Sequence, residues 1–155
     1  MRRRIPVKTA VLTLTIMMMV MTAVTAHAQQ LTVTDIGAGY EWVKNYARGQ
    51  SMFAYYPKGH REGDTRTAVV FIHGGGWRSG HPSFFFPHCQ YFAARGTVAF
   101  SVQYRLADGT GAEGIEQVGT RCLADCKSAI RHIRENAHDY GIDPAKVVVA
   151  GDSAG

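Results

Sequence analysis

Residues 147–155 read Val-Val-Val-Ala-Gly-Asp-Ser-Ala-Gly, an apolar run that ends in two glycines on either side of a serine. A short, continuous run of β-branched residues predicts a strand that is buried on both faces. The pattern Gly-x-Ser-x-Gly directly after such a strand predicts a sharp strand-to-helix turn, because glycine permits the tight backbone path. That turn would lift the hydroxyl of Ser153 above the end of the sheet, where other groups can reach it.

Three earlier segments also carry strand patterns. Residues 68–72 and 97–102 are continuous apolar runs, and residues 51–56 form an additional candidate strand. Residues 84–95 predict a short aromatic helix that ends at Gly96. This alternation of strands and helices is typical of an α/β fold, here with a mostly parallel sheet and helices on both of its faces.

The clearest helix precedes the last strand, because apolar residues recur there at helical spacing. The residues on this apolar face are Cys122, Cys126, Ile130, Ile133, Ala137 and Tyr140. Gly141 predicts the end of the helix, and Asp143 with Pro144 predicts a turn into the last strand. We expect Asp125 to form a local ion pair or cap, and His132 and His138 to be solvated.

A run of three glycines follows the strand at 68–72. Residues 73–77 read His-Gly-Gly-Gly-Trp. The tetrahedral intermediate of an acyl transfer carries a negative oxygen, and backbone N–H groups can stabilise it only where side chains leave them accessible. A glycine run supplies that access, and a further donor is expected from Ala154, the residue after the serine.

Two nucleotide-binding alternatives fail on particular residues. A dinucleotide fingerprint from Gly74 would need glycine where Ser79 stands. A phosphate-binding loop from Gly75 reaches Gly80 at the right spacing, but His81 stands where that loop needs lysine. A purely structural glycine turn stays open as an alternative.

Together, the motifs at 73–77 and 151–155 resemble those of α/β-hydrolase esterases of the hormone-sensitive lipase type. Exported bacterial acetyl esterases and carbohydrate or feruloyl esterases look similar. Tyr-Arg-Leu at 104–106 and Gly-Ile-Asp-Pro at 141–144 also resemble that family. The resemblance covers residues 51–155.

The resemblance implies a carboxylic-ester hydrolase that acts on short-chain or carbohydrate esters without a metal or other cofactor. Ser153 would be the nucleophile, and Gly75, Gly76 and Ala154 would form the oxyanion hole. The supporting residues that it implies are His73, which would brace the glycine loop, and Gly74, Trp77, Gly151, Asp152 and Gly155. A peptidase or an arylformamidase relative would use the same turn, so these two reactions stay open as alternatives.

In this family order, the acidic residue and the histidine of the catalytic triad follow the serine. We therefore expect both to lie beyond residue 155, and we expect residues 29–155 to be the N-terminal portion of an α/β-hydrolase domain that is inactive by itself. A non-catalytic remnant of such an esterase is the second hypothesis. No upstream histidine is expected to serve as the base; the candidates are His60, His73, His81, His88, His132 and His138.

The first residues of the chain predict export. Residues 1–28 read as a signal peptide, with four of the seventeen basic residues in the first eight positions, then an apolar stretch, and then Ala-His-Ala as the cleavage site. Cleavage after Ala28 would place the protein in the periplasm or outside the cell, without stable membrane association. Most of the excess of basic over acidic residues lies in this leader, so nucleic acid is discounted as a partner. A small-molecule ester is expected instead.

Cysteines and aromatic residues leave smaller questions open. The chain has three cysteines, Cys89, Cys122 and Cys126, and an odd number leaves at least one thiol unpaired within it. We expect Cys122 and Cys126 to be core residues rather than to form a disulfide bridge. A zinc site is not expected, because no CxxC or HxxxH spacing is present. The aromatic residues at 82–87 could pack in the core or line an apolar wall of the site, and the same two roles are open for Trp77.

Overall fold

The valine-rich segment lies in the edge strand of a five-stranded sheet. The computed structural model describes residues 39–47 and 49–155, and the expected signal peptide lies outside the described residues. The strands are β1 (Gly39–Ala47), β2 (Gln50–Tyr56), β3 (Arg66–Ile72), β4 (Val98–Val102) and β5 (Ile142–Gly151). Their order in the sheet is β1-β2-β4-β3-β5.

The described sheet is mixed, whereas the sequence predicted a mostly parallel one. β3 pairs in parallel with both β4 and β5, but the pairs β1–β2 and β2–β4 are antiparallel. β1 was not predicted from the sequence. Because only a short connection separates β1 from β2, these two strands can pair only as an antiparallel hairpin.

Helices cover both faces of the sheet, as predicted. The described helices are a 3₁₀ turn (Pro82–Phe85), α1 (Phe86–Ala93) and α2 (Ile115–Glu135). On one face α1 packs on Val69, Phe71 and Ala99. On the other face α2 packs on Val70 and Phe100. The strands β3 and β4 are therefore buried from both sides, which explains their continuous apolar sequences.

The predicted aromatic helix is divided into two parts. Pro82 begins the 3₁₀ turn and Pro87 lies in the first turn of α1. Proline is tolerated at these positions because the first N–H groups of a helix have no intrahelical acceptor. α1 ends at Ala93, and Gly96 follows with a φ of +90°.

The long helix is shorter than its apolar pattern predicted. α2 ends at Glu135, and Ala137 and Tyr140 are buried in the turn that follows. His132 is half-buried rather than fully solvated, and its Nε2 lies 3.1 Å from the hydroxyl of Tyr140. Within α2, Ala129 is fully buried, whereas Ile130 is only half-buried.

The last strand departs from the expectation of burial on both faces. β5 begins at Ile142, and the predicted turn at Asp143 is an irregularity in its pairing with β3. Val148 and Val149 are exposed, because in the described sheet β5 pairs only with β3. The three cysteines, Cys89, Cys122 and Cys126, are buried and free, as expected for core residues. None of the helices described here has the length and apolar character needed to cross a membrane.

Candidate active site

The turn after β5 places Ser153 in the left-handed region of backbone space. Its φ is +53°, and its side chain is exposed. The turn is closed by a hydrogen bond from the N–H of Gly155 to the carbonyl of Asp152, at 2.8 Å. A non-glycine residue with positive φ is strained, and such residues are held in place by the structure around them.

Glycine is required next to this turn for steric reasons. A Cβ on Gly155 would lie 2.1 Å from the carbonyl oxygen of Ile72, and a Cβ on Gly151 would lie 2.5 Å from the carbonyl carbon of Gly155. Both obstacles are backbone atoms, which cannot rotate away. The two glycines of the Gly-x-Ser-x-Gly motif therefore allow the chain to turn back directly against the end of β3.

The glycine run forms a second turn at the end of β3. Gly75 and Gly76 have φ values of +116° and +59°, and the carbonyl of Gly75 accepts the N–H groups of Arg78 and Ser79 at 3.1 Å each. Among the described residues, the N–H groups of Gly75, Gly76 and Ala154 find no hydrogen-bond acceptor. The fold of the described chain therefore leaves these three N–H groups unpaired.

The structure brings the two motifs into direct contact. A Cβ on Gly74 would lie 2.7 Å from the carbonyl oxygen of Asp152 and 3.0 Å from the Cβ of Ser153. The indole Nε1 of Trp77 donates to the carbonyl of Ala154 at 2.8 Å. Residues that are far apart in sequence thus form one site at the ends of neighbouring parallel strands.

His73 is buried beneath the glycine loop. It is only 1% exposed, its Nδ1 donates to the carbonyl of Gly74 at 2.8 Å, and its ring stacks on Tyr104 with centroids 4.4 Å apart. The hydroxyl of Tyr104 donates to the carbonyl of His73 at 2.6 Å. Sequence reasoning did not name Tyr104 as a site residue, although it belongs to the Tyr-Arg-Leu segment that resembles the family.

Burial lowers the pKa of His73 from its ordinary value of 6.5, although the carbonyl of Gly74 opposes this shift. The folded state therefore binds this proton less readily than the unfolded state. The stability that depends on neutral His73 is fully present above the unfolded pKa and is lost as the pH falls below it. We expect the free energy of unfolding to decrease between pH 7 and pH 5, and to decrease less in His73→Asn. Urea unfolding at both pH values measures this difference, and an equal decrease in both proteins would contradict it.

No imidazole in the described chain is hydrogen-bonded to the hydroxyl of Ser153. The Nδ1 of His81 instead accepts the N–H of Ser83 at 3.2 Å. His88 is exposed on α1. The buried cysteines are also poor candidates for a nucleophile, because burial raises the pKa of Cys89 and of Cys126 to about 12.

Two cavities flank the contact between the motifs. The larger, of about 670 Å³, is lined by apolar residues that include Trp77, Leu123 and Ala154. The smaller, of about 400 Å³, lies beside the glycine loop and includes Phe84 and Asp152. The aromatic run therefore has both roles that were left open, since Phe84 lines a cavity whereas Phe85 and Phe86 pack on the sheet. Trp77 likewise packs against Ile72 and lines a cavity.

One group of ligand-type side chains in the described residues is close enough to share a cation. Its members, Glu62, His138 and Asp139, are all exposed, and the Nδ1 of His138 lies 3.4 Å from a carboxylate oxygen of Glu62. None of them belongs to the glycine loop or to the turn that holds Ser153.

Comparison with known proteins agrees with this fold and these motifs. Residues 52–155 match the family described as BD-FAE. Carboxylesterase NlhH of Mycobacterium tuberculosis is 37% identical over 93 residues, which cover 59% of this chain and 27% of the relative. The chain thus spans about a quarter of this curated relative.

Solved structures of an esterase from Thermogutta terrifontis, Est2, are also similar. The propionate-bound form is 39% identical with a TM-score of 0.66, and the match covers 77% of this chain and 42% of that one. The form phosphorylated by paraoxon is 38% identical with a TM-score of 0.65, covering 76% and 44%. The match to the family extends from β2 to Gly155, and so includes both the glycine loop and the turn that holds Ser153. This chain therefore belongs to the BD-FAE family and has the α/β-hydrolase fold of the esterases that it resembles.

Proposed function

We propose that the protein hydrolyses carboxylic esters with Ser153 as its nucleophile. One observation carries the proposal: the turn that holds the exposed Ser153 lies against the glycine loop, since a Cβ on Gly74 would lie 3.0 Å from the Cβ of Ser153, and the N–H groups of Gly75, Gly76 and Ala154 have no acceptor in the described chain. A serine oxygen next to free donors is the arrangement that acyl transfer requires. The esterase relatives support the same reaction class.

The reaction would proceed through an acyl-enzyme. The Oγ of Ser153 attacks the ester carbonyl carbon, and the carbonyl oxygen becomes an oxyanion that accepts hydrogen bonds from Gly75, Gly76 and Ala154. The intermediate collapses with release of the alcohol. Water then attacks the acyl group, the acid is released, and the serine is regenerated. His73 would act by bracing the loop, since its Nδ1 already donates to the carbonyl of Gly74.

A general base must accept the proton of Ser153 in the first step. In the order typical of the α/β-hydrolase fold, an acidic residue and then a histidine follow the nucleophile. The proposal therefore assigns neither role to residues 1–155, and it expects segment 29–155 by itself to turn over no ester.

We propose short-chain esters as substrates, including acylated carbohydrates. The smaller cavity supports this class, because His81 and Ser83 line it together with Phe84 and can meet both polar and apolar groups. Est2, the relative from Thermogutta terrifontis, has been solved with propionate bound.

We also propose that the protein is exported to the periplasm or secreted. The basic residues at 2–8, the apolar stretch and the Ala-His-Ala sequence that ends at Ala28 support this proposal. The N-terminal residue of the exported protein tests it, with Gln29 expected; an intact Met1 would contradict it.

Labelling with paraoxon tests the nucleophile directly. The full-length protein is expected to take up one diethylphosphoryl group on Ser153, because a serine oxygen that attacks an ester also attacks this phosphotriester. Peptide mass mapping after digestion locates the label. The urea-unfolded chain is the control and should remain unlabelled, because the reaction depends on the folded site. A label only at another residue would contradict the assignment.

A further inference from the structure

The segment that follows β4 holds both ends of the glycine loop. The hydroxyl of Tyr104 donates to the carbonyl of His73 at 2.6 Å. The N–H of Ala107 donates to the carbonyl of Trp77 at 2.8 Å. The loop motif at 73–77 thus accepts one hydrogen bond from this segment at each of its ends. Its position depends on where residues 104–107 lie.

Residues 104–107 are in turn fixed to α2. Asp125 is 1% exposed and accepts three hydrogen bonds from Arg105: from the backbone N–H at 3.0 Å, from Nε at 2.8 Å and from a terminal guanidinium nitrogen at 2.6 Å. Arg121 donates to the carbonyl of Leu106 at 2.8 Å. The sequence predicts a local ion pair or cap for Asp125, but its partner lies 20 residues away.

We propose that Asp125, acting through Arg105, is a positioning residue for the oxyanion hole. It is not hydrogen-bonded to the glycine loop or to the turn that holds Ser153. A bidentate pair between a carboxylate and a guanidinium restricts how the two side chains can be oriented. Here that restriction sets the path of the chain from Tyr104 to Ala107. This inference rests on the proposed ester hydrolysis, because it concerns the donors that this reaction uses.

The variant Asp125→Asn tests the inference in the full-length protein. Asparagine keeps the shape of the side chain and one acceptor oxygen. Unlike a carboxylate, it cannot accept hydrogen bonds from the guanidinium of Arg105 on two oxygens. We expect faster amide hydrogen exchange in residues 74–79, and a kcat for p-nitrophenyl acetate that is about 10- to 100-fold lower, with little change in KM. A misplaced donor set weakens stabilisation of the transition state more than binding of the substrate.

The matched control is Asp64→Asn. Asp64 accepts a hydrogen bond from the Nε of Arg66 at 2.8 Å, so this variant also breaks a carboxylate–guanidinium pair. Arg66 begins β3, whereas the glycine loop follows the other end of that strand. We expect Asp64→Asn to leave both kcat and the exchange of residues 74–79 unchanged, even where it lowers the melting temperature.

A double-mutant cycle with Tyr104→Phe separates positioning from general loss of stability. If Asp125, acting through Arg105, sets the position of Tyr104, the double variant should lose little more kcat than the worse single variant. If the losses of kcat in the two single variants multiply fully in the double variant, the inference is overturned. Unchanged amide exchange in residues 74–79, or unchanged kcat, in folded Asp125→Asn would also overturn it. If Asp125→Asn does not fold, Arg105→Lys keeps the charge but loses the two-pronged geometry, and the same results are expected of it.

The proposed function can fail separately from this inference. Hydrolysis that persists in Ser153→Ala would contradict the proposed role of Ser153 as nucleophile, and amide exchange in residues 74–79 would still decide whether Asp125 holds the loop. Loss of hydrolysis in Ser153→Ala together with wild-type kinetics in Asp125→Asn would contradict only the positioning role.

Discussion

Replacement of Ser153 by alanine is expected to abolish ester hydrolysis in the full-length protein and to leave the fold intact. Without the hydroxyl no acyl-enzyme can form, and loss of a serine nucleophile typically lowers kcat on the order of 10⁶-fold. The hydroxyl is exposed and has no hydrogen-bond partner among the described residues, so its removal leaves no buried polar group unpaired. The melting temperature should therefore stay close to that of the wild type.

Hydrolysis of p-nitrophenyl acetate measures this effect, and Ser128→Ala is the matched control. Ser128 lies on α2, where its hydroxyl donates to the carbonyl of Ala124 in the same helix at 2.8 Å. The same chemical change there should leave kcat at the wild-type value. A Ser153→Ala protein that retained a substantial part of its kcat would exclude Ser153 as the nucleophile.

Gly75→Ala is the second substitution with a large expected effect. With φ at +116°, alanine at this position would be strained by roughly 1–3 kcal/mol. In addition, its Cβ would lie 2.2 Å from the backbone oxygen of Ser79, so the loop must move. Displacement of one oxyanion donor typically costs about 10²–10³ in kcat. We therefore expect a loss of that size, together with a lower free energy of unfolding.

Gly59→Ala separates backbone strain from the effect on the site. Gly59 also has a positive φ, +74°, but a Cβ there would meet nothing within 4 Å. Alanine should cost about 1 kcal/mol of stability for its left-handed backbone and leave kcat unchanged. Steady-state kinetics and urea unfolding of both variants test the pair. Equal kinetics in Gly75→Ala and Gly59→Ala would show that the glycine loop takes no part in the reaction.

Much of the fold could be predicted because the relevant patterns are local. The strands at 51–56, 68–72 and 97–102 lie within β2, β3 and, apart from Thr97, β4. The glycine run and the Gly-x-Ser-x-Gly turn each follow a strand, as their sequences indicated. The contact between these two motifs could also be expected, since parallel strands that are neighbours in a sheet end at the same edge.

Local patterns were insufficient where partners are distant in sequence. The sequence predicts a local ion pair or cap for Asp125, because this residue lies on the long helix. Its burial against Arg105 depends on how the segment after β4 crosses the helix. The partner of Tyr104 could not be predicted for the same reason, because a tyrosine after a strand has many possible partners. Only the fold brings its hydroxyl within hydrogen-bond distance of the carbonyl of His73.

By itself, the sequence determined the fold class and the two glycine motifs, and the family resemblance of those motifs made Ser153 the candidate nucleophile. The fold class and the motifs depend on backbone freedom and on the periodicity of apolar residues, which are properties of short segments. Only the tertiary structure decided that β2 runs antiparallel to β4, that β5 is an exposed edge of the described sheet, that Asp125 pairs with Arg105, and that the hydroxyl of Tyr104 donates to the carbonyl of His73. Those features depend on which distant groups meet when the sheet forms, because a buried donor or charge must find a partner wherever the chain brings one.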